Sequence, residues 1–149
     1  MAVNGHDAIV DAVLDVLQAS PALVDGGIAE DIASDTLPTG DAADLSVSLM
    51  DSTPGVPGFG KREWTSMVRV TVRSRSDTAG VNGRASRAIQ AAVFARLMAD
   101  RTLGGLVLNV GAPRLSNEPA ILASRIGVVH ADYPVTHYTA LNSMDAVQP

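Results

Sequence analysis

An alternating stretch at residues 63–75 constrains the fold more than any other feature of the chain. If this stretch is extended, one face receives mainly apolar side chains: Trp64, Val68, Val70 and Val72. The other face receives mainly polar ones: Thr65, Arg69, Thr71, Arg73 and Arg75. A period of two over this length is typical of an antiparallel strand that is buried on one side. A shorter alternating run at 45–50 precedes it, so the sequence predicts a long β-hairpin.

The segment between the two runs, residues 51–62, resembles a phosphate-binding loop in part. Residues 55–61 match the pattern G-x-x-x-x-G-K, but Arg62 stands where a magnesium-binding hydroxyl is required. A strand follows the lysine, whereas the motif needs the free N–H groups of a helix N-terminus. Nucleotide binding is therefore rejected, and the segment is predicted to be a flexible hairpin loop. Phe59 within it either folds back onto the domain or anchors a partner.

Composition limits the classes of function. The chain has 149 residues, enough for one domain spanning 1–149, and only 3% are aromatic. A net charge of −5 argues against general binding to duplex DNA. The absence of cysteine excludes disulfides and thiolate metal sites. With no long apolar run and no leader pattern at the N-terminus, we expect neither a membrane span nor a secreted precursor.

A helix is predicted at residues 7–18, after a flexible lead at 1–6. Its apolar residues form one continuous arc, and Asp7, Asp11 and Asp15 lie on the opposite face. Asp7 is the candidate N-cap. This acidic stripe is either a solvated helix face or a patch that faces a pore or a basic partner.

A second helix is predicted at residues 84–100. Ile89, Val93 and Leu97 lie above one another, and alanines share a separate arc: Ala88, Ala91, Ala92, Ala95 and Ala99. Because small side chains allow close approach, the first helix is the expected partner of the alanine arc. Phe94 and Met98 lie on a third side, which suggests burial on more than one side, including against another subunit.

The remaining predictions concern weaker elements. Short strands are expected at 28–32 and 106–110, and a final strand or strand pair at 125–141. Pro134 lies within the last of these, where it implies an edge, a bulge or a break because proline cannot donate to a ladder. Residues 142–149 are predicted to be a disordered tail.

No residue pattern predicts catalysis. His130 and His137 are seven positions apart on an extended segment, so they point to opposite faces, and neither has a nucleophile context. The acidic residues between 30 and 44 lack the order of a calcium loop. We therefore predict no catalytic, cofactor or metal site. The predicted fold is α+β: a mainly antiparallel β-sheet with a long hairpin and two α-helices packed on one face.

This order of elements resembles the tail-terminator family of long-tailed bacteriophages, the minor tail protein U type, and related head–tail joining proteins. The resemblance rests on the helix at 8–18, the strands at 45–50 and 64–75 around a long loop, the helix at 84–99, and a closing strand with His137-Tyr138-Thr139. It implies a hexameric ring, assembled in the host cytoplasm and carried in the virion. Such a ring caps the tail tube, ends its polymerisation and meets the neck, while DNA passes through the lumen as cargo.

A ring built from identical chains needs unlike surfaces that complement each other. The candidate assembly residues are Asp7, Asp11 and Asp15 on the acidic stripe, Phe59, Lys61 and Arg62 on the loop, and Arg69, Arg73 and Arg75 on the strand. The expected partners are further copies of the chain, the tail-tube protein and the neck protein, with no membrane involved. A neck or head-completion protein, a tail-tube subunit and, more remotely, a small enzyme remain alternatives.

Overall fold

In the residues that the structure, a computed structural model, describes (4–31, 43–75, 82–118 and 126–148), the chain forms two helices and seven strands. In chain order these are α1 (Gly5–Gln18), β1 (Ile28–Glu30), β2 (Asp44–Gly58), β3 (Lys61–Arg75), α2 (Asn82–Ala99), β4 (Asn109–Val110), β5 (Arg114–Asn117), β6 (Ile126–Ala140) and β7 (Ala146–Val147). The predicted α+β class, with strands dominant, is confirmed.

The strands belong to one sheet with the order β1-β2-β3-β6-β4, and β5 and β7 also pair with β6. β1 runs parallel to β2, and the other pairings are antiparallel. β3 and β6 pair along their whole length, from Lys61 opposite Ala140 to Arg75 opposite Ile126. This continuous pair forms the centre of the sheet and fixes which side chains face each other.

The hydrophobic core is built mainly from valine. Alternate positions of the strands supply one set of fully buried side chains: Leu45, Val47, Val68, Val70, Val72, Val129, Ala131, Tyr133 and Val135. The helices supply the other: Ile9, Val10, Val13, Leu17, Val93 and Leu97. The apolar face predicted for β3 is therefore confirmed. The alanine arc of α2 is exposed, so the prediction that it packs against α1 is wrong; Ile89, Val93 and Leu97 turn toward the core instead.

The prediction of a loop at residues 51–62 is also wrong. β2 continues to Gly58, and the connection to β3 is the pair Phe59-Gly60. Both residues have positive φ, 52° and 74°. This is the backbone of the two-residue turns whose twist matches that of the strands in a hairpin. The register shifts twice along β2, between Leu49 and Asp51 and between Pro54 and Pro57.

Pro134 lies inside the continuous strand β6. On the side of β6 away from β3, the neighbouring strand changes at this point. β5 pairs with residues 129–132 of β6, and β4 pairs with residues 135–136. The carbonyl of Pro134 accepts from Gly111 N at 2.7 Å, so the backbone groups of Pro134 point toward this junction. The missing N–H therefore costs no ladder bond to β3. The predicted edge, bulge or break of this strand is wrong, because β6 runs through Pro134 in unshifted register with β3 and has strands on both sides.

The same alternation explains why β2 tolerates two prolines. Pro54 and Pro57 are opposite Trp64 and Arg62, whose backbone groups point toward β6. The N–H groups that these prolines lack would therefore have pointed outward, toward the open edge of β2. Proline at such positions leaves the ladder to β3 intact and discourages another strand from pairing with this edge.

Both ends of the chain are more ordered than predicted. α1 begins at Gly5, and its N-cap is Asn4, not Asp7, because the Asn4 side chain accepts from His6 N at 2.9 Å. At the other end, β7 pairs with Tyr138 and Thr139, so the tail prediction is wrong for this segment. Residues 1–3 and 149 lie outside the described part.

Three short elements also differ from their predictions. The strand expected at 28–32 is limited to β1, the one expected at 106–110 is limited to β4, and β5 forms where no strand was predicted. Within the described ranges, no helix is long and apolar enough to cross a membrane.

Arg96 joins the two helices. Its guanidinium donates to the carbonyls of Ala19 and Pro21 at 2.9 and 2.7 Å, and to Leu17 O at 3.3 Å. These carbonyls lie at and just after the C-terminal end of α1, where a cation is favoured by the helix dipole. Arg96 thus satisfies backbone acceptors that the helix leaves unpaired.

We predict that Arg96→Ala lowers the free energy of unfolding by about 1–2 kcal/mol, because charged hydrogen bonds to these carbonyls are lost. Urea denaturation measures the change. Arg87→Ala is the matched control: Arg87 is exposed on another side of α2, and we expect a change below about 0.5 kcal/mol. Equal effects of the two substitutions would contradict this role of Arg96.

Candidate assembly interface

The predicted acidic stripe lies on the surface. Asp7, Asp11 and Asp15 are exposed on α1, on the side away from its buried residues. None of them forms an ion pair with a described residue. The last turn of α1 carries no basic residue of its own. Among the described residues, the stripe is therefore a negatively charged surface without ion-pair partners.

Two of the predicted arginines are neutralised inside the sheet. Arg69 donates to both carboxylate oxygens of Asp132, at 2.8 and 3.2 Å, and this hydrogen bonding raises the pKa of Arg69. Arg73 donates to Asp44 at 2.8 Å, and both residues are buried. Each pair is also a cross-strand neighbour in the register. A role of these arginines in assembly stays a prediction, but neither offers a free cation.

A charge reversal at Arg69 or Arg73 would bring two carboxylates into contact. Loss of assembly in such a variant would then follow from loss of stability, because an unpaired buried charge is strongly destabilising. The side chain of Arg75, the third predicted arginine, lies outside the described part. A test of assembly needs residues without an internal partner.

The end of the hairpin offers such residues. Phe59 is fully exposed and Val56 is 88% exposed. Lys61 is held against the C-terminal segment, since its Nζ donates to Gln148 O at 3.0 Å and lies 5.6 Å from the centre of the Tyr138 ring. Arg62 is half-buried and forms no hydrogen bond or ion pair with another described residue. Of the four, Val56 was not among the residues predicted from the sequence.

A polar chain crosses the other face of the sheet, around His130. His130 Nδ1 shares a hydrogen bond with Thr71 Oγ1 at 2.8 Å, and His130 Nε2 lies 2.6 Å from Glu118 Oε1. In this order, an acid that bonds to an imidazole could help the imidazole to polarise the hydroxyl next to it. Thr71 lies within a strand that is paired on both sides, so its neighbouring backbone N–H groups belong to ladders and are not arranged around a vacant oxyanion position.

His137 belongs to a separate buried cluster on the core face of the sheet, so the prediction that the two histidines point to opposite faces is confirmed. Its Nε2 shares a hydrogen bond of 2.7 Å with Ser66 Oγ, which in turn lies 2.7 Å from Ser52 Oγ. The ring of His6 stands edge-on to the rings of both His137 and Trp64, with centroids 5.0 Å apart in each case. The cluster joins the start of α1 to the centre of the sheet.

Burial determines the charge state of this cluster. It lowers the pKa of His137 to about 4, and it also lowers the pKa of His6, which the nearby Asp7 partly offsets. Both rings are therefore neutral at pH 7. Neither ring nitrogen of His6 has a hydrogen-bond partner in the described structure. Among the described residues, no three acidic, histidine or cysteine side chains form a group that could hold a metal ion.

Sequence reasoning missed these partners because they are distant in the chain. Thr71 and His130 are 59 residues apart, and Ser66 and His137 are 71 apart. Only the register of β3 on β6 brings them together. No local signal could have revealed either contact.

No protein-family model matches the chain, and a search of curated proteins finds no match.

We predict that stability falls between pH 7 and pH 5 through the histidine cluster. The pKa of each histidine is lower in the folded chain than in the unfolded one, so the unfolded chain binds more protons as the pH falls below 6.5. For His137 this loss continues down to pH 4, and we expect roughly 1–2 kcal/mol by pH 5. Urea denaturation at both pH values measures it.

His6→Leu provides the comparison. Leucine removes two buried nitrogens without partners and one group that protonates on unfolding. We expect the variant to be at least as stable as the parent at pH 7 and to lose less stability at pH 5. An equal pH dependence in parent and variant would show that His6 does not contribute.

Proposed function

We propose that the chain is a structural subunit that closes a ring on the end of a bacteriophage tail tube, ends tube polymerisation and joins the tail to the neck. The proposal draws on the resemblance to the tail-terminator family and on the distribution of free and paired residues over the surface. It places the protein in the virion, with copies of itself, the tube protein and the neck protein as partners. DNA is cargo that passes a ring of negatively charged chains.

The observation that carries the proposal is the end of the β2–β3 hairpin. Two large apolar side chains are exposed there: Val56, within the register shift of β2 between Pro54 and Pro57, and Phe59, in the tight turn. β3 is bonded along its full length to β6, so this end is supported by the sheet. An apolar contact on a rigid element loses little conformational entropy when it binds. We assign the hairpin end to contact with the tail tube.

The distribution of charge agrees with a role in contact. In the proposed arrangement α1 and α2 share one face of the sheet, and the opposite face carries the Arg69–Asp132 and Arg73–Asp44 pairs. Internal pairing removes these arginines from competition for DNA phosphates. The acidic stripe on α1 stays available for a neighbour or for the lumen.

Electron microscopy of the purified protein mixed with tail tubes tests the function. A terminator binds one end of each tube and stops further growth. Incorporation along the tube would support a tube subunit, and binding to the head opening without binding to tubes would support a neck protein. Either result would overturn the proposed role.

Phe59 allows stability and binding to be separated. A phenylalanine with φ of 52° is strained, whereas asparagine adopts positive φ readily in this kind of turn. We predict that Phe59→Asn raises the free energy of unfolding by about 0.5–1 kcal/mol and weakens capping of tubes at least about tenfold, as expected when a central aromatic contact is lost. Urea denaturation and counts of capped tubes measure the two effects.

Leu108→Asn is the matched control. Leu108 is another exposed large apolar residue, and its backbone N–H, not its side chain, bonds to Thr136 O. We expect this variant to cap tubes as the parent does. Normal capping by Phe59→Asn would show that the hairpin end does not form the proposed contact with the tube.

A further inference from the structure

α2 has an exposed face built from small apolar side chains and two arginines. The alanine arc lies at the surface, and next to it a groove of about 420 Å³ runs between α2 and the segment leading into β5. Phe94 and Leu115 line this groove and are 42% and 57% exposed. Small side chains beside an apolar groove let the backbone of another helix approach closely. We refer to the alanine arc, the groove, Arg84 and Arg87 together as the α2 surface.

Two arginines supply the charge of this surface. Arg84 and Arg87 are exposed near the start of α2, and neither forms an ion pair with a described residue. The first turn of α2 carries no acidic residue. The positive end of the helix dipole disfavours cations there, and two like charges three positions apart repel each other. Both effects are relieved when carboxylates approach from outside.

The acidic stripe of α1 has the complementary features. Asp7, Asp11 and Asp15 repeat every four residues, so they lie along one line of the helix and also repel one another. Asp15 lies near the C-terminal end, where the dipole disfavours an anion. Leu14 borders this line and is only partly buried, so it adds an apolar side chain next to the charges.

The two surfaces cannot meet within one chain. Arg96 of α2 bonds to the end of α1, and Phe94 lies about 200° around α2 from Arg96 at 100° per residue. The groove therefore faces away from the α1 of its own chain. Surfaces that differ in charge and lie on separate sides favour a head-to-tail contact, which repeats from copy to copy and closes into a ring.

We propose that the α2 surface binds α1 of a second copy of this chain, with Arg84 and Arg87 facing Asp7, Asp11 and Asp15 and with Leu14 against the groove beside Phe94. The inference deepens the proposed function and rests on it for the biological purpose of the ring. The contact itself depends only on this chain.

Charge reversal on one side and then the other tests the contact. Arg84→Glu with Arg87→Glu makes both surfaces acidic, and Asp11→Lys with Asp15→Lys makes both basic. Each double variant should need at least a tenfold higher protein concentration to self-associate. An equal mixture of the two should regain it, because each acidic α2 surface then meets a basic α1 of the other variant. Analytical ultracentrifugation of the full chain, up to about 1 mM, measures the mass.

Arg114→Gln is the matched control for loss of positive charge, because a glutamate at this position would lie opposite Asp132. Arg114 is an exposed arginine on β5, and strand alternation directs it to the face opposite Leu115. It should associate as the parent does. Thermal denaturation of every variant shows whether the fold is kept; a reversed variant that unfolds is replaced by Arg84→Gln with Arg87→Gln, which should weaken association without rescue by the basic partner.

Three outcomes would overturn the inference: a parent chain that stays monomeric at the highest concentration, unchanged association of the reversed variants, or no recovery in the mixture. Failure of the proposed function looks different. If the mixture associates but neither parent nor mixture stops tube growth, the contact stands and the tail role fails. If the reversed variants still form rings and cap tubes, the tail role stands and this contact fails.

Discussion

The register of β3 on β6 is the constraint on which the rest of the structure depends. The two strands pair without interruption from Lys61 to Arg75 and from Ile126 to Ala140. Because side chains alternate along a strand, a shift of one residue would move the valines out of the core and the arginines into it. The same register brings Thr71 to His130 and Ser66 to His137. Core, ion pairs and histidine clusters are thus consequences of a single alignment.

The two ion pairs help to specify that alignment. A shift of β3 against β2 or β6 would separate Arg73 from Asp44 or Arg69 from Asp132. Valine side chains at successive core positions are nearly interchangeable, so apolar packing alone distinguishes poorly between registers two residues apart. A charged pair left unmatched in a half-buried site is costly, so the pairs discriminate where the valines do not. We expect their contribution to lie more in specificity than in net stability.

The sequence predicts what is local and fails where partners are distant. The strand face of Val68, Val70 and Val72, the exposed aspartates of α1 and the α+β class all follow from periodicity. The hairpin loop was mispredicted because Pro54 and Pro57 read as turn residues, although their missing N–H groups point to an open edge. The alanine arc of α2 was mispredicted because periodicity shows that a face exists but not what covers it. Asp44 and Asp132, 29 and 63 residues from their arginines, carry no local signal at all.

The division between paired and unpaired charges also bears on how such a chain could assemble. Arg69 and Arg73 have internal partners, so a contact with another chain would have to compete with pairs that already exist. Arg84, Arg87 and the aspartates of α1 have none in the described structure. Each of these groups carries like charges that repel one another, and the helix dipole also disfavours the arginines at the start of α2 and Asp15 near the end of α1. This repulsion costs little in a solvated monomer and is relieved on association. Surface charges of this kind strengthen association but contribute little to the stability of the core. A substitution can therefore change assembly in this fold without changing its stability, or the reverse.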